Sequence, residues 1–497
     1  MNKKFSIEVL VVGLANFFLQ LQALLLLPII SHVMGIETYG IWVQITVVIT
    51  LFTGVFGLGL HIALIRFTAG ESDTQEIGRI FWTILGLAMV SATIGVILLF
   101  MSASFLANLL GVPDASVLFA LGGIAVWFGI VNAQFLNYYR ARRQMSSYSW
   151  FLLVNSLSDA LLVAGVVWFY QDIKAAVISL GVGRMLLAWF HGIKIGRQIG
   201  WHRPQWRLSK GYLAYCVPTT PNLLYTWVLD KSDRFLIGFF AGPAAVGVYS
   251  AAYSLCGAIQ MGIRTLYQTL FPALTEFWVH NKHEEVKEYL HYALKYFQLF
   301  AIPAIFGLIV LAYPLLVLLI GEDSATQGAD LVPWIAFGIF FFGMQIIYGQ
   351  VLYVAKRTNI LAMISLGAGV INVLLNIWLI PLWGVLGAAV TTFVSYLFVL
   401  LVTAVVSHRY LATSFPYRDT FKIIISASLM TLCLLAIKSE IGGVLYLGIA
   451  VIFGGAIYLA SLLLLRVFSS KEVGLFWDAF TQVYYRVRRS WPAFVRK

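Results

Sequence analysis

The sequence contains few charged residues for its length. Asp, Glu, Lys and Arg make up only 11% of its 497 residues, whereas soluble domains carry about 25%. Hydrophobic residues make up 61%, and long apolar blocks recur between Val9 and Leu465. A helix of about 20 such residues crosses the hydrocarbon core of a bilayer. The composition therefore excludes a soluble globular protein and predicts an all-α polytopic membrane protein.

Cysteine is also scarce, and catalytic motifs are missing. Cys216, Cys256 and Cys433 lie within predicted spans without metal-ligand spacing, so they indicate apolar packing and not a disulfide or a metal site. No Gly-x-x-x-x-Gly-Lys-Ser/Thr motif suggests ATP hydrolysis. The inner loops 196–211 and 276–295 are too short for a catalytic domain. We predict no enzyme activity, no cofactor and no metal.

Positive charge is scarce on one side of the predicted membrane. With the N-terminus inside, the inner segments hold 27 of the 33 Lys and Arg residues, and the outer loops hold only Lys174 and Lys438. The positive-inside rule therefore predicts cytoplasmic N- and C-termini, and it makes the net charge of +12 a signal of topology and not of nucleic-acid binding. The predicted spans, about fourteen in number, are 9–31, 39–62, 79–103, 117–139, 147–170, 173–195, 212–240, 244–270, 293–320, 330–354, 359–381, 384–407, 420–438 and 442–466.

Three short similarities indicate an internal repeat six spans long. Because six is an even number, the two halves should share their orientation and enclose a cavity about a pseudo-twofold axis along the membrane normal. The matching segments are 35–42 with 242–249, 139–143 with 353–357, and 155–159 with 372–376. We predict six-helix lobes at 1–210 and 211–410, two additional spans in 411–468, and a cytoplasmic amphipathic tail at 469–497.

Polar and charged residues interrupt the apolar pattern between Thr219 and Gln268. This stretch is predicted to form two helices joined by a turn at 241–243, and on each helix the polar residues recur every three or four positions and share one face. A charge at the centre of a span costs roughly 2.5–3.5 kcal/mol, so both faces should meet protein or a water-filled cavity. The faces comprise Thr219, Asn222, Thr226, Asp230, Asp233 and Arg234 on the first helix and Tyr253, Gln260, Arg264 and Gln268 on the second.

Loose glycine, proline and polar motifs recur along nearly the whole chain. They are Leu27-Pro-Ile-Ile-Ser-His-Val-Met-Gly35-Ile-Glu-Thr-Tyr-Gly40, Asp233-Arg-Phe-Leu-Ile-Gly238, Gly247-Val-Tyr-Ser-Ala-Ala-Tyr253, Leu270-Phe-Pro272-Ala-Leu and Asn372-Val-Leu-Leu-Asn376-Ile-Trp-Leu-Ile-Pro381-Leu-Trp-Gly384-Val-Leu-Gly387. Together they resemble the Wzx-type polysaccharide flippases, a branch of the multidrug/oligosaccharidyl-lipid/polysaccharide exporter superfamily.

This resemblance implies a MATE-like fold of two six-helix lobes related by a pseudo-twofold axis, with two extra helices. It implies flipping of an undecaprenyl-diphosphate-linked oligosaccharide across the bacterial cytoplasmic (inner) membrane by alternating access, for a surface polysaccharide such as O-antigen. The implied partners are this lipid-linked substrate, membrane lipids, and a polysaccharide polymerase with its chain-length machinery. Nucleic acid is not among them, and H⁺ or Na⁺ coupling is a further hypothesis.

The parts of a lipid-linked sugar suggest which residues bind it. A diphosphate needs cations, and the planar fork of arginine meets phosphate oxygens bidentately. Arg264 and Arg66 lie at the predicted depth of the inner leaflet, although each could instead reach inner head groups. Amides can bind sugar hydroxyls and aromatic rings can stack on sugars, but contacts between helices explain such residues as well. The other substrate candidates are Asn16, Gln20, Asn222, Tyr253, Gln260 and Gln268.

Charged residues within spans suggest two further roles. Asp230 and Arg234 are spaced i,i+4 in the favourable order and could neutralise each other. Alternatively, Asp230 or Asp233, with Arg234 close by, exchanges a proton or sodium ion during transport. Asp159 and Arg184 stand about equally far from the turn that joins their spans, which predicts a structural ion pair at one depth.

Two other classes of protein stay open at this point. A multidrug or cation antiporter of the same superfamily would favour several acids over arginine in the cavity. A membrane polymerase or ligase for glycans would carry a large charged outer loop, whereas the largest predicted outer loop here is 321–330. The sequence determines neither the glycan, nor the driving gradient, nor the oligomeric state.

Overall fold

The computed structural model describes residues 22, 24–437, 443–468 and 472. Regular structure in these residues is helical, and twelve of their helices are long and apolar enough to cross a membrane. The predicted all-α polytopic class is confirmed. The helices are α1 (Leu24–Met34), α2 (Ile36–Phe56), α3 (Leu60–Thr68), α4 (Thr74–Leu109), α5 (Ser116–Ala141), α6 (Met145–Tyr170), α7 (Ile173–Ile199), α8 (Ser209–Cys216), α9 (Thr220–Val279), α10 (His283–Ile320), α11 (Glu322–Val354), α12 (Thr358–Trp383), α13 (Val385–Tyr410), α14 (Tyr417–Ala436) and α15 (Val444–Leu464).

The long helix α9 is divided at the predicted turn. Gly242 has φ 81° and ψ 178°, which lies outside the helical region. We therefore distinguish arm α9a (220–241) from arm α9b (243–279), and they correspond to the predicted spans 212–240 and 244–270. Most of the predicted first span, 9–31, lies outside the described residues. Its last residues belong to α1, which covers 24–34.

The predicted second span, 39–62, is wrong in one respect because the helix is interrupted. Leu58 and Gly59 have positive φ angles of 48° and 65°, which a right-handed α-helix does not contain. The chain therefore forms α2 and the short α3 in place of one helix. The break also places Gly57 and Gly59 in the lining of a cavity described below.

The predicted outer loop 321–330 is reduced to a single residue. Gly321 has φ 80° and ψ 168°, and α11 begins directly after it. The predicted loop contains the acidic residues Glu322 and Asp323, but in the structure they occupy the first turn of α11. Carboxylates at this position interact favourably with the positive end of the helix dipole. Glu322 and Asp323 therefore stabilise the N-terminus of α11.

The backbone contains the predicted repeat. Gly35 (φ 88°, ψ 160°) and Gly242 (φ 81°, ψ 178°) adopt the same conformation directly before α2 and α9b. Arg143 and Lys356 are also equivalent, with left-handed φ angles of 53° and 57°, two residues before α6 and α12. Left-handed residues other than glycine are uncommon, so this second correspondence is specific.

Hydrogen bonds correct the register of that second correspondence. The N–H of Gln144 donates to the carbonyl of Tyr139, and the N–H of Arg357 donates to the carbonyl of Leu352, both at 2.8 Å. Tyr139 therefore corresponds to Leu352 and not, as the sequence match suggests, to Tyr353.

The same register changes the third match. Helices α6 and α12 each have 26 residues, and aligning their first residues places Asp159 opposite Asn372. The sequence match had paired Asp159 with Asn376, one helical turn further along. The shift arose because polar residues recur at i,i+4 in both helices, so a comparison of short segments can slip by a turn.

The described helices pack as two bundles. Helices α2, α4, α5, α6 and α7 pack on one another in the first, and α9, α10, α11, α12 and α13 in the second. Helices α14 and α15 pack against α10, as expected for an addition to the repeat. The boundaries 210, 410 and 468 stay predictions, and the predicted tail lies outside the described residues apart from Glu472.

The bundles contact each other reciprocally through α2 and α9b. A Cβ on Gly40 would collide with the carbonyl oxygen of Pro243, and a Cβ on Gly247 would lie 2.5 Å from the carbonyl oxygen of Ile36. Gly40 is equivalent to Gly247 in the repeat, and Ile36 is equivalent to Pro243. The two contacts are therefore related by the pseudo-twofold axis, which passes between these helices.

A second contact between the bundles lies at the end of α10. The Ser31 hydroxyl donates to the carbonyl of Leu319 at 2.5 Å, and His32 Nε2 donates to the carbonyl of Leu318 at 2.8 Å. Carbonyls in the last turn of a helix have no partner within it, so α1 caps α10 across the interface. Together with the glycine contacts, this cap brings the bundles together at the predicted outer face.

The added helices are anchored by a buried charge cluster. Lys295 Nζ on α10 lies 2.9 Å from both carboxylate oxygens of Glu472 and 3.2 Å from Asp419 Oδ2 on α14. Tyr296 also donates to Glu472, at 2.9 Å. Removing one member of a buried ion pair is strongly destabilising, so this cluster fixes α14 and Glu472 against α10.

We predict that Gly40→Ala and Gly247→Ala each lower the stability of the protein. Each added methyl group must push a backbone carbonyl aside, and such overpacking costs about 1–3 kcal/mol. Thermal unfolding of the purified protein in detergent measures the effect. The control is Gly257→Ala on α9b, because a Cβ at Gly257 meets no atom within 4 Å. Unchanged or higher melting temperatures for the first two variants would contradict the close contact.

Candidate functional site

Two charged residues of α9a line a cavity between the two bundles. We call it the interlobe cavity, and its volume is about 380 Å³. Lys231 and Arg234 face it from α9a, while Asp159 and Arg184 face it from the first bundle. Its described lining therefore has three cationic side chains and one carboxylate.

Arg234 is held in a cage of polar and aromatic groups. Only 6% of the residue is exposed. Its Nη1 lies 3.0 Å from Asp233 Oδ1 and donates to the carbonyl of Asp230 at 3.0 Å. Its Cζ lies 4.3 Å from the ring centroid of Tyr253 and 5.5 Å from that of Tyr249. A guanidinium over a tyrosine face is attracted by the ring electrons, so carboxylate, carbonyl and rings together hold the cation in place.

The carboxylate of Asp233 connects three helical segments. Its Oδ1 accepts from the backbone N–H of Arg234 at 2.7 Å, and its Oδ2 accepts from the hydroxyl of Tyr249 on α9b at 2.6 Å. That hydroxyl also lies 3.2 Å from Thr392 Oγ1 on α13. Both carboxylate oxygens thus have partners, and Asp233 neutralises a cation of its own protein. A role of Asp230, Asp233 and Arg234 in ion coupling stays a prediction.

Asp159 and Arg184 form an ion pair in the first bundle. Arg184 Nη2 lies 3.1 Å from Asp159 Oδ2, and Arg184 Nη1 donates to the carbonyl of Ala125 at 3.0 Å. Asn132 donates to the carbonyl of Arg184 at 3.0 Å. These contacts join α5, α6 and α7, and they leave the guanidinium at the wall of the interlobe cavity.

A second cavity lies within the first bundle. We call it the first-bundle chamber; its volume is about 450 Å³, and its wall includes Thr53, Asn132, Gln134 and Asn155. Thr50 and Arg184 line both the chamber and the interlobe cavity. The two spaces therefore adjoin at Arg184. Both volumes fall in the usual range for ligand pockets, about 300–1,000 Å³.

The other predicted substrate residues have varied positions. Gln260 is half-buried and donates to the hydroxyl of Tyr253 at 3.2 Å, so it contacts the Arg234 cage through Tyr253. Arg66 is exposed at the end of α3 and lies outside the lining of both cavities. Asn16 and Gln20 fall outside the described residues, as do the side chains of Asn222, Arg264 and Gln268.

Sequence reasoning did not identify Lys231, Tyr39 and Asn132 as cavity residues. Lys231 and Tyr39 of α2 both line the interlobe cavity, and Asn132 lines the first-bundle chamber. The charge of Lys231 within a predicted span was the available signal. Among the described residues, no group of three or more His, Cys, Asp or Glu could hold a metal ion.

We predict that Arg184→Ala and Asp159→Ala both reduce the yield of folded protein. Each leaves a buried charge without its partner, at a cost of about 3–5 kcal/mol. The exchange variant with Asp159→Arg and Arg184→Asp should recover much of this loss because it restores opposite charges at one depth. Detergent-solubilised yield and melting temperature are the measurements. An exchange variant that is no better than either single variant would contradict a structural role of the pair.

The chain is similar to proteins described as glycan flippases and transporters. The family model "Polysaccharide biosynthesis protein" matches residues 7–278, more than half of the chain. Agl15 of Haloferax volcanii, described as a probable low-salt glycan biosynthesis flippase, is 23% identical over 295 residues. A protein of Escherichia coli (strain K12) described as a candidate O-antigen transporter is 25% identical over 244 residues. These matches cover 58% and 48% of this chain, and the chain spans only 61% and 55% of the two relatives.

Solved structures agree on the fold. The lipid II flippase MurJ, in an inward closed conformation, superposes with a TM-score of 0.75 at 16% identity and covers 92% of this chain and 99% of its own. An inward-facing multidrug resistance MATE family transporter of the MOP superfamily gives a TM-score of 0.62 at 12% identity, with 80% and 94% covered. The MatE family model also matches residues 218–378. The chain therefore belongs to the polysaccharide biosynthesis protein family, in agreement with the resemblance that its motifs show.

Proposed function

We propose that the protein is a flippase for a lipid-linked oligosaccharide. It moves an undecaprenyl-diphosphate-linked repeat unit from the inner to the outer leaflet of the bacterial cytoplasmic membrane and performs no chemistry on it. In this proposal both termini face the cytoplasm, and the flipped unit is passed to a polysaccharide polymerase. The observation that supports it most is that Arg184, Lys231 and Arg234 all line the interlobe cavity.

The charges of the interlobe cavity suit a diphosphate. Arg184, Lys231 and Arg234 line the cavity and Asp159 is the one carboxylate in its described lining. A diphosphate entering from the inner leaflet must lose much of its hydration, and charge-assisted hydrogen bonds from fixed cations replace that hydration. We assign to these three residues the diphosphate-binding role that the sequence suggested for Arg264 and Arg66.

The same charges disfavour the alternative of a multidrug or cation antiporter. An organic cation would find the carboxylates of Asp159 and Asp233 already paired with arginine, and it would meet the positive charge of Lys231 in the cavity wall. Like charges at short range in a region of low dielectric constant repel strongly. The cavity is therefore better suited to an anionic ligand.

The contacts at the predicted outer face support alternating access. The glycine contacts of α2 with α9b and the cap of α1 on α10 hold that end together, so a ligand would reach the cavity from the opposite side. We propose that these contacts separate when the substrate is released outward. The tail of the polyprenyl chain can stay in lipid throughout because it has no polar group to shield.

We predict that Lys231→Gln reduces surface polysaccharide at least about tenfold, which corresponds to ~1.4 kcal/mol of lost interaction. The lipid-linked unit should accumulate on the cytoplasmic side of the membrane. Both are measured in the source bacterium, by immunoblotting of polysaccharide and by extraction of lipid-linked intermediates. Arg234→Lys should show a smaller loss because it keeps the charge and removes the planar fork.

Lys174→Gln is the matched control for this experiment. Lys174 is exposed near the start of α7 and does not line the interlobe cavity, so its variant should export normally. Normal polysaccharide from Lys231→Gln at wild-type protein levels would remove the cavity charges from the mechanism.

A further inference from the structure

The first-bundle chamber contains buried oxygen atoms without hydrogen-bond partners. They are Thr53 Oγ1, Asn132 Oδ1, Gln134 Oε1 and Asn155 Oδ1. Asn132 and Gln134 are only 5% and 1% exposed, and their amide N–H groups already donate to the carbonyls of Arg184 and Ile130. Nearly all buried polar atoms in folded proteins have a partner. These four oxygens belong to residues that line one cavity, and a ligand that donates hydrogen bonds there would supply the missing partners.

The charges of the chamber exclude a metal cation as that ligand. Its described lining contains no Asp or Glu, and Arg184 is its one Arg or Lys. A metal ion here would lack a counter-charge and would be repelled by the guanidinium. An inorganic anion would suit Arg184, but its oxygens are mainly acceptors and would leave most of the orphan oxygens without a donor. The lining therefore selects a neutral ligand rich in hydroxyl groups.

The walls of the chamber fit a sugar ring in two other respects. Phe151, which is 2% exposed, contributes an apolar aromatic side chain to the wall. Glycines keep the space open: Gly54 lines the chamber, and a Cβ built there meets no atom within 4 Å. At Gly129 a Cβ would lie 3.2 Å from Arg184 Nη1, so glycine leaves that guanidinium accessible.

The position of the chamber connects it to the diphosphate. Thr50 and Arg184 line both spaces, so a group bound at Arg184 can extend into either. We propose that the first-bundle chamber is the sugar subsite of this flippase, which receives the sugar attached to the diphosphate while the interlobe cavity holds the diphosphate. This proposal rests on the proposed function and adds a specificity determinant within one bundle.

Gly54→Leu tests the proposal because Gly54 lines the chamber, a Cβ there meets no atom within 4 Å, and the larger side chain takes up chamber volume. The probes are undecaprenyl diphosphate and undecaprenyl diphosphate carrying one N-acetylglucosamine, and binding to the purified full-length protein is followed by native mass spectrometry. Wild-type protein should bind the sugar-bearing lipid about tenfold more tightly than the bare lipid. Gly54→Leu should lose this preference and keep its affinity for the bare lipid within about twofold.

Two further variants complete the experiment. Gly165→Leu on α6 is the matched control, since Gly165 also has open space around its Cβ but lines neither cavity; it should retain the preference. Thr53→Val removes one orphan oxygen at nearly constant volume and should lose part of the preference, so the test does not depend on folding of Gly54→Leu alone.

The outcomes separate the two proposals. Equal binding of both lipids by wild-type protein, or an unchanged preference in both Gly54→Leu and Thr53→Val, would show that the orphan oxygens serve only water and would overturn the sugar subsite. The flippase proposal would survive either result. Wild-type protein that binds neither lipid would instead overturn the proposed function itself.

Discussion

The centre of this protein depends on the contacts that surround the buried guanidinium of Arg234. A charge inside a membrane protein is tolerated only when its hydration is replaced. Here Asp233, the carbonyl of Asp230 and two tyrosine rings replace it. Because the Asp233 carboxylate is held in turn by a hydroxyl from α9b that reaches α13, one cation fixes the geometry of α9a, α9b and α13 together. The same cation lines the interlobe cavity, so the structural requirement and the proposed binding role fall on one residue.

The two halves of the repeat have diverged around this cavity. In the first bundle Asp159 pairs with Arg184. Its counterpart in the corrected register, Asn372, donates to Ser395 at 3.3 Å and accepts from Asn376 at 3.0 Å. A charged pair on one side thus corresponds to neutral amides on the other. Such asymmetry suits a ligand whose two polar parts differ, one anionic and one rich in hydroxyl groups.

Sequence periodicity predicted much of this arrangement and failed where several helices meet. Hydropathy and the distribution of Lys and Arg identified the spans, and the spacing of Asp233 and Arg234 identified a buried polar face. That Lys231 lines the interlobe cavity together with Arg234 did not follow from this polar face, because a cavity between bundles is lined by more than one face of a helix. The repeat was found but its register slipped by a turn, since short polar matches do not record where a helix begins. Hydrogen bonds at the turns supply that information.

The distribution of strong and weak contacts explains how such bundles can move. The two ion pairs at the cavity wall are each made within a bundle, Asp159 with Arg184 in the first and Asp233 with Arg234 in the second. The contacts at the predicted outer face are of another kind: glycines against carbonyl oxygens, and a hydroxyl and an imidazole against the last turn of α10. Water can take over the hydrogen bonds to exposed helix-end carbonyls, whereas it cannot easily enter a buried ion pair. Separation of the bundles at that face therefore breaks replaceable contacts and keeps the charged ones, which is the condition for two bundles to rock as rigid bodies around a fixed site.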